Sequence, residues 1–139
     1  MDLSERISIQ SWTFRGLKTN DEVIAAAKMC GASNIEIAYV HVSVADKAAC
    51  AKVIDQYKKA GVTLSSYGVC GISADEAKSR APFEFAKAAG FSTVTASLGA
   101  GGLEMAERLC KEYGKKIALH NHGRRQVVMV WPLGRWTSG

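Results

Sequence analysis

At 139 residues, with 47% apolar side chains, the chain fits one domain of ordinary size that can fill a core without disulfides or bound metal. Its 18 basic and 13 acidic residues give a net charge of +5, but Arg124, Arg125 and Arg135 supply three of those charges, and the remaining excess is too small to argue for nucleic acid or membrane. The start, "MDLSER", lacks the basic and apolar run of a secretion signal, and no apolar stretch nears the roughly 20 residues of a membrane span, so a cytoplasmic protein is expected.

A first strand is predicted over residues 7–14, "ISIQSWTF", with Ile7 and Ile9 alternating against Ser8, Gln10 and Trp12. Residues 20–30 then read as a helix, with Asn20 as its cap and acids in its first turn. The second strand, 34–40, sets Ile35, Ile37 and Tyr39 against Glu36 and Ala38. A helix over 43–60 leads to a third strand over 62–69, which carries Ser65, Ser66 and Tyr67. The next helix, 73–89, contains Pro82, which is expected to split or kink it. The fourth strand, 92–99, alternates Val94, Ala96 and Leu98 with Thr95 and Ser97. After a helix over 102–113, the fifth strand, 116–122, sets Ile117 and Leu119 against Ala118, His120 and His122. The remainder, "GRRQVVMVWPLGRWTSG", has no helical stretch and breaks the pattern.

A repeat binds these elements together. "KMCG" (28–31), "KKAG" (58–61), "KAAG" (87–90) and "KEYG" (111–114) all read Lys-x-x-Gly, and each closes a helix before a strand. Lysine in the last turn suits the negative end of the helix dipole, and the glycine can take the left-handed conformation that stops a helix. Regular alternation of strand and helix implies an α/β fold with a parallel sheet and right-handed crossovers. Because one strand face is apolar and the other polar or small, a barrel with outer helices fits better than an open sheet covered on both faces. The expectation is therefore a partial (β/α) TIM barrel of five parallel strands and four helices over 1–123, with an atypical tail over 124–139. Cys30, Cys50, Cys70 and Cys110 form no Cys-x-x-Cys pair and are expected to be reduced core thiols.

Candidate chemistry gathers where barrel sites form, at the carboxyl ends of the strands. His120 and His122 share the polar face of the fifth strand and can bind a metal, hold a sugar hydroxyl or shuttle a proton; two hydrogen-bonded structural histidines are the plainer alternative. Glu36 is a carboxylate on the same face, a candidate acid/base or ligand, or else a buried, ion-paired structural glutamate. Gln10 and Trp12 suit the floor of a sugar site, although Trp12 also suits core packing; Ser65, Ser66 and Tyr67 add hydroxyls to the same rim, and Tyr67 also suits packing. His41 is a lid or rim candidate, or a plain surface histidine. "SLGAGG" (97–102) before a helix offers a weak phosphate cradle that matches neither nucleotide fingerprint.

With "SIQSWTF", "GASNIEIAYV" and "IALHNHG" in these places, the chain resembles the xylose-isomerase-like barrel superfamily, in its sugar phosphate isomerase/epimerase branch, over residues 7 to about 123. That resemblance implies a sugar or sugar phosphate as substrate and one divalent metal (Mn, Mg, Co or Zn). It also implies proton transfer between adjacent carbons through an enediolate, with His120, His122 and Glu36 as catalytic candidates, His120 and His122 as metal ligands, and Gln10, Trp12, Tyr67 and Asn121 as substrate contacts. Position 120 is where many relatives carry a metal-binding glutamate, so the role of His120 stays open between ligand and substrate contact. Strands six to eight and the other ligands have no counterpart, and a truncated or frame-shifted product, inactive alone, is expected. Two alternatives stand beside it. One is non-catalytic, a half barrel that self-associates or an open-sheet binding domain. The other is a metal-dependent phosphodiesterase like the abasic-site endonucleases, against which the three histidines and small charge excess argue.

Overall fold

Each of the four Lys-x-x-Gly segments ends a helix in the computed structural model, which describes residues 7–121. The helices are α1 (Asn20–Met29), α2 (Lys47–Lys59), α3 (Glu76–Ala89) and α4 (Gly102–Tyr113). Gly31, Gly61, Gly90 and Gly114 follow them with φ of 72°, 69°, 83° and 61°, the left-handed region that costs a side-chain-bearing residue about 1 kcal/mol or more. At the other ends, Thr19, Asp46 and Asp75 cap α1, α2 and α3 by accepting backbone N–H bonds. Thr19, not Asn20, caps α1, because its hydroxyl and the Glu22 carboxylate close a reciprocal capping box. Neither split nor broken, α3 runs on through Pro82. The proline lies on the buried stripe of Ser79, Pro82, Phe83 and Ala86, where packing holds the helix despite the missing N–H.

Between the helices lie β1 (Ile9–Gln10), β2 (Asn34–Ile37), β3 (Thr63–Ile72), β4 (Thr93–Leu98) and β5 (Lys116–Leu119). They form one sheet in the spatial order β1-β2-β3-β4-β5, with every neighbouring pair parallel. Right-handed crossovers between sequential neighbours put all the helices on one face, and each helix packs on the next. Ile35, Ile37, Leu64, Tyr67 and Val94 of the strands meet Val23, Tyr57 and Phe85 of the helices in one apolar cluster. Ile72, Phe83, Ala96 and Leu109 make a second cluster under α4. Each such side chain contributes about 1.5–3 kcal/mol by leaving water. Arg80 of α3 clamps α4 by pairing with Glu112 and Tyr113 while also holding Glu76 at 2.7 Å.

Several strands differ from their predicted bounds. Only two residues of 7–14 pair as β1, because Ser11–Phe14 winds into a 3-10 turn closed by Arg15 N–H to the Trp12 carbonyl at 3.1 Å. The second strand stops at Ile37; His41 N–H bonds back to the Ala38 carbonyl at 3.0 Å, so Tyr39 belongs to a turn and not to a strand face. The third strand runs on to Ile72, with its register shifted between Tyr67 and Cys70. Cys50 is buried and Cys70 and Cys110 are half-buried, whereas Cys30 is exposed, contrary to expectation, since it caps the end of α1 beside the solvent-facing Met29. His122 and the proposed boundary between 1–123 and the tail lie outside the described residues. Among the described residues no helix is long and apolar enough to cross a membrane.

A buried polar chain fastens the turn after β2 to the helix layer. The Tyr57 hydroxyl donates to Asn20 Oδ1 at 3.1 Å, and Asn20 Nδ2 donates to the His41 carbonyl at 2.9 Å. Side-chain Nδ1 of His41 lies 2.9 Å from the hydroxyl of Ser11, which is 0% exposed and accepts the Ala38 N–H at 2.8 Å. Nε2 of His41 is buried with no partner at hydrogen-bonding geometry. Desolvation lowers the His41 pKa below its ordinary value, partly offset by the nearby Leu17 and Phe14 carbonyls.

Two measurements check this architecture. A Cβ on Gly68 would lie 2.5 Å from the Thr95 carbonyl oxygen, so Gly68→Ala is expected to lower unfolding stability by about 1–3 kcal/mol in denaturant melts. Gly71, on the same strand, has nothing within 4 Å of that position, and Gly71→Ala is expected to stay within about 0.5 kcal/mol. Because the folded His41 pKa is depressed, the unfolded chain binds the extra proton first. The stability held by neutral His41 is thus full above the unfolded value and is lost as pH falls through the folded one. Melting from pH 7.5 down to 5 should therefore show a steeper loss for the native chain than for His41→Asn.

Candidate functional site

The sheet face away from the helices is lined by short polar side chains, and one carboxylate organises it. Glu36, on β2, accepts hydrogen bonds from Gln10 Nε2 on β1, from the Ser66 hydroxyl on β3 at 2.7 Å and from the Thr95 hydroxyl on β4 at 2.7 Å. A register shift brings this about: Ile35 pairs with Leu64 but Glu36 pairs with Ser66, so Ser65 and Ser66 are both left half-buried instead of alternating between the faces. Ser65 meets Ser8 at 2.7 Å, which extends the polar face toward the first strand. All three donors to Glu36 are neutral, so the charge is held by oriented dipoles and not by a counter-ion. This differs from the ion-paired glutamate weighed from the sequence.

The donor assignment also fixes Gln10. With its amide nitrogen given to Glu36, its carbonyl oxygen keeps the capacity to accept a hydrogen bond.

At the carboxyl ends of the strands a cavity of about 200 Å³ opens on this face, lined by Gln10, Trp12, Ala38, Tyr39, Gly68, Val69 and His120. Trp12 from the 3-10 turn and Tyr39 from the turn after β2 form its aromatic wall, with ring centroids 5.4 Å apart and planes tilted by 37°. Both rings remain open to solvent, at 39% and 57% exposure, which is unusual for two large aromatic groups in contact. The Arg15 guanidinium sits over the Trp12 ring, 5.5 Å from its centre. His120 follows β5, where its N–H bonds to the Ala96 carbonyl at 2.9 Å and so extends the ladder of β4 and β5 to the cavity.

Gln10, Trp12 and His120 thus come together, and Glu36 adjoins them through Gln10. Asn121 is exposed just beyond His120, at the end of the described residues, and His122 lies outside them. Of the two readings of Tyr67, packing holds and substrate contact does not. It is 3% exposed and packs edge-on against Phe85 at 5.7 Å in the helix-side core, where burial pushes its phenol pKa up, so it is set apart from the cavity. His41 is half-buried against Ser11 and is neither a lid nor a plain surface histidine. In "SLGAGG", Gly102 is buried where a Cβ would lie 2.4 Å from the Ile72 carbonyl, so the glycine serves close packing of α4 on the end of β3.

Tyr39 and the donor Thr95 were the site residues that sequence reasoning missed, whereas Ser66 had been placed on the rim. A strand drawn to residue 40 puts Tyr39 on the apolar face, and only the turn at residues 38–41 redirects it. Among the described residues no three His, Cys, Asp or Glu side chains gather as a metal cage. A wider groove of about 880 Å³ lies among the helices, between α2 and α3, and holds none of the candidate residues.

No family model matches the chain, and the search of curated proteins finds no match. Among solved structures it is similar to an uncharacterized protein from Parabacteroides distasonis, with a TM-score of 0.70 and 24% identity over 83% of this chain. The chain spans about half of that protein, 52% of its length, and the likeness at this identity is one of fold.

Proposed function

We propose that residues 7–121 are five strands' worth of a β/α barrel of the xylose-isomerase-like kind, and that the cavity at their carboxyl ends takes a small sugar or sugar phosphate as part of an isomerase or epimerase. The observation that carries this reading is the convergence of Gln10, Trp12, Tyr39 and His120 from β1, the turn after β2 and β5 on one cavity at the strand ends. Sequential strand order supports the barrel, since a doubly wound sheet reverses direction at a switch point and this one does not. A helix layer on one face and a polar face opposite it support the same reading.

The described residues bind and orient. An open indole and phenol present flat apolar faces to the C–H side of a sugar ring, and the Gln10 carbonyl, on a cavity-lining residue, can accept from a hydroxyl. His120 lines the same cavity, where an imidazole can hydrogen-bond a hydroxyl. The resemblance adds a divalent metal, manganese, magnesium, cobalt or zinc, whose Lewis acidity would stabilise an enediolate. The described residues do not by themselves fit such an ion: no three ligating side chains converge, and Glu36 already accepts three hydrogen bonds. A metal belongs to the proposal only with ligands from outside them, His122 among the candidates.

A second reading has its own observation. Among the described residues β1 and β5 are the outer strands of the sheet, each without a strand on one side, and Ile7 and Leu119 are 58% and 63% exposed near those edges. Such edges favour self-association, which light scattering across a concentration series would show as a rising mass.

The sugar reading is tested by titrating the full chain with D-xylose, D-fructose and D-ribulose 5-phosphate under saturation-transfer NMR. Binding of at least one near about 1 mM is expected, weakened about tenfold by Trp12→Ala. Absence of binding to all three, or binding untouched by both Trp12→Ala and His120→Ala, would overturn it.

A further inference from the structure

Two fully buried polar side chains stand in the described core, Ser11 and Ser79. Ser79 is accounted for locally, since it exchanges hydrogen bonds with the backbone of Ser73 at 3.0 Å each way. Ser11 is different, because its bonds join two segments far apart in sequence. Its hydroxyl accepts the Ala38 N–H at 2.8 Å and meets His41 Nδ1 at 2.9 Å.

The position of that junction matters for the cavity. Ser11 is the neighbour of Trp12, Ala38 is the neighbour of Tyr39, and His41 follows two residues later. The Ser11, Ala38 and His41 contacts therefore clamp together the backbone at the base of both aromatic rings. His41 is itself held to the helix layer through Asn20 and the fully buried Tyr57. A rigid line of hydrogen bonds thus runs from α2 to the aromatic wall. Ser11, at 0% exposure, cannot reach a ligand, and the buried Nε2 of His41 faces protein, so neither is placed to act on a bound molecule.

We infer that His41 is a positioning residue: through Ser11 it fixes the Trp12–Tyr39 pair in its open, tilted arrangement before any ligand arrives. The inference rests on the sugar reading for its consequence, since a wall already ordered loses less freedom on binding. The geometry of the wall stands without it.

The test uses the full chain labelled with 5-fluorotryptophan, the Trp12 resonance being assigned by its loss in Trp12→Phe. Three variants are compared with the native chain: His41→Ala, which removes the side-chain partner of Ser11; His41→Asn, which keeps a polar atom near the place of Nδ1; and Ser11→Ala. In His41→Ala and Ser11→Ala the Trp12 line should broaden or move without ligand, and the dissociation constant for the best of the three sugar probes should rise about tenfold; His41→Asn should restore both. A Trp12 line unmoved in His41→Ala, or a His41→Asn no closer to native than His41→Ala, overturns the inference. Should His41→Ala fail to fold, Ser11→Ala, which loses one hydroxyl, is judged by the same line. If no sugar binds the native chain, the sugar reading fails while the fluorine line still decides the role of His41.

Discussion

One carboxylate ties four strands together. Glu36 draws Gln10 from β1, Ser66 from β3 and Thr95 from β4 to a single point on the face opposite the four described helices. A half-buried charge without oriented donors is costly, and three neutral donors offset that cost only if their strands keep register to within a fraction of an ångström. The register shift that pairs Glu36 with Ser66 is part of the same constraint. So is the close approach of Gly68 to Thr95, where no side chain could stand between β3 and β4. The polar face is thereby a built surface, as firmly specified as the apolar one behind it.

Position at the strand ends follows from that surface. Glu36 holds the Gln10 amide, Gln10 ends β1, and the chain then turns sharply through Ser11–Phe14, which lifts Trp12 out of the sheet. The second strand ends in a turn of its own, which lifts Tyr39 beside it. Packing behind the sheet holds the helices, and the polar network in front aims the side chains. The cavity exists because the two short strands stop where they do; a longer β1 or β2 would carry both rings onto strand faces.

Much of this was legible in the residues. The four Lys-x-x-Gly segments marked every helix end, and the alternation of Ile35 and Ile37 with Glu36, or of Val94 and Ala96 with Thr95, showed which strand face meets the helices. Local rules of that kind depend on neighbours in sequence, and they held. What escaped depends on contacts between distant segments. Nothing in "SSYGV" announces that the register slips and sends Tyr67 to the core, and nothing in "ISIQSWTF" says that pairing ends after Gln10. Pro82 looked like a break because its effect on a helix is local, whereas its burial on the packed stripe of α3 is not. Ser11 and His41 looked like unrelated polar residues, since their bond spans thirty positions.

The measurement that bears most directly on the organising role of Glu36 is a double-mutant cycle between Glu36→Ala and Thr95→Val, read by denaturant unfolding of the full chain. A hydrogen bond to an ionised acceptor contributes about 1.5–3 kcal/mol, so a coupling free energy of at least ~1 kcal/mol between the two sites is expected. Additivity within ~0.3 kcal/mol would contradict it, and would mean that the polar face is held by the backbone ladders with Glu36 a bystander.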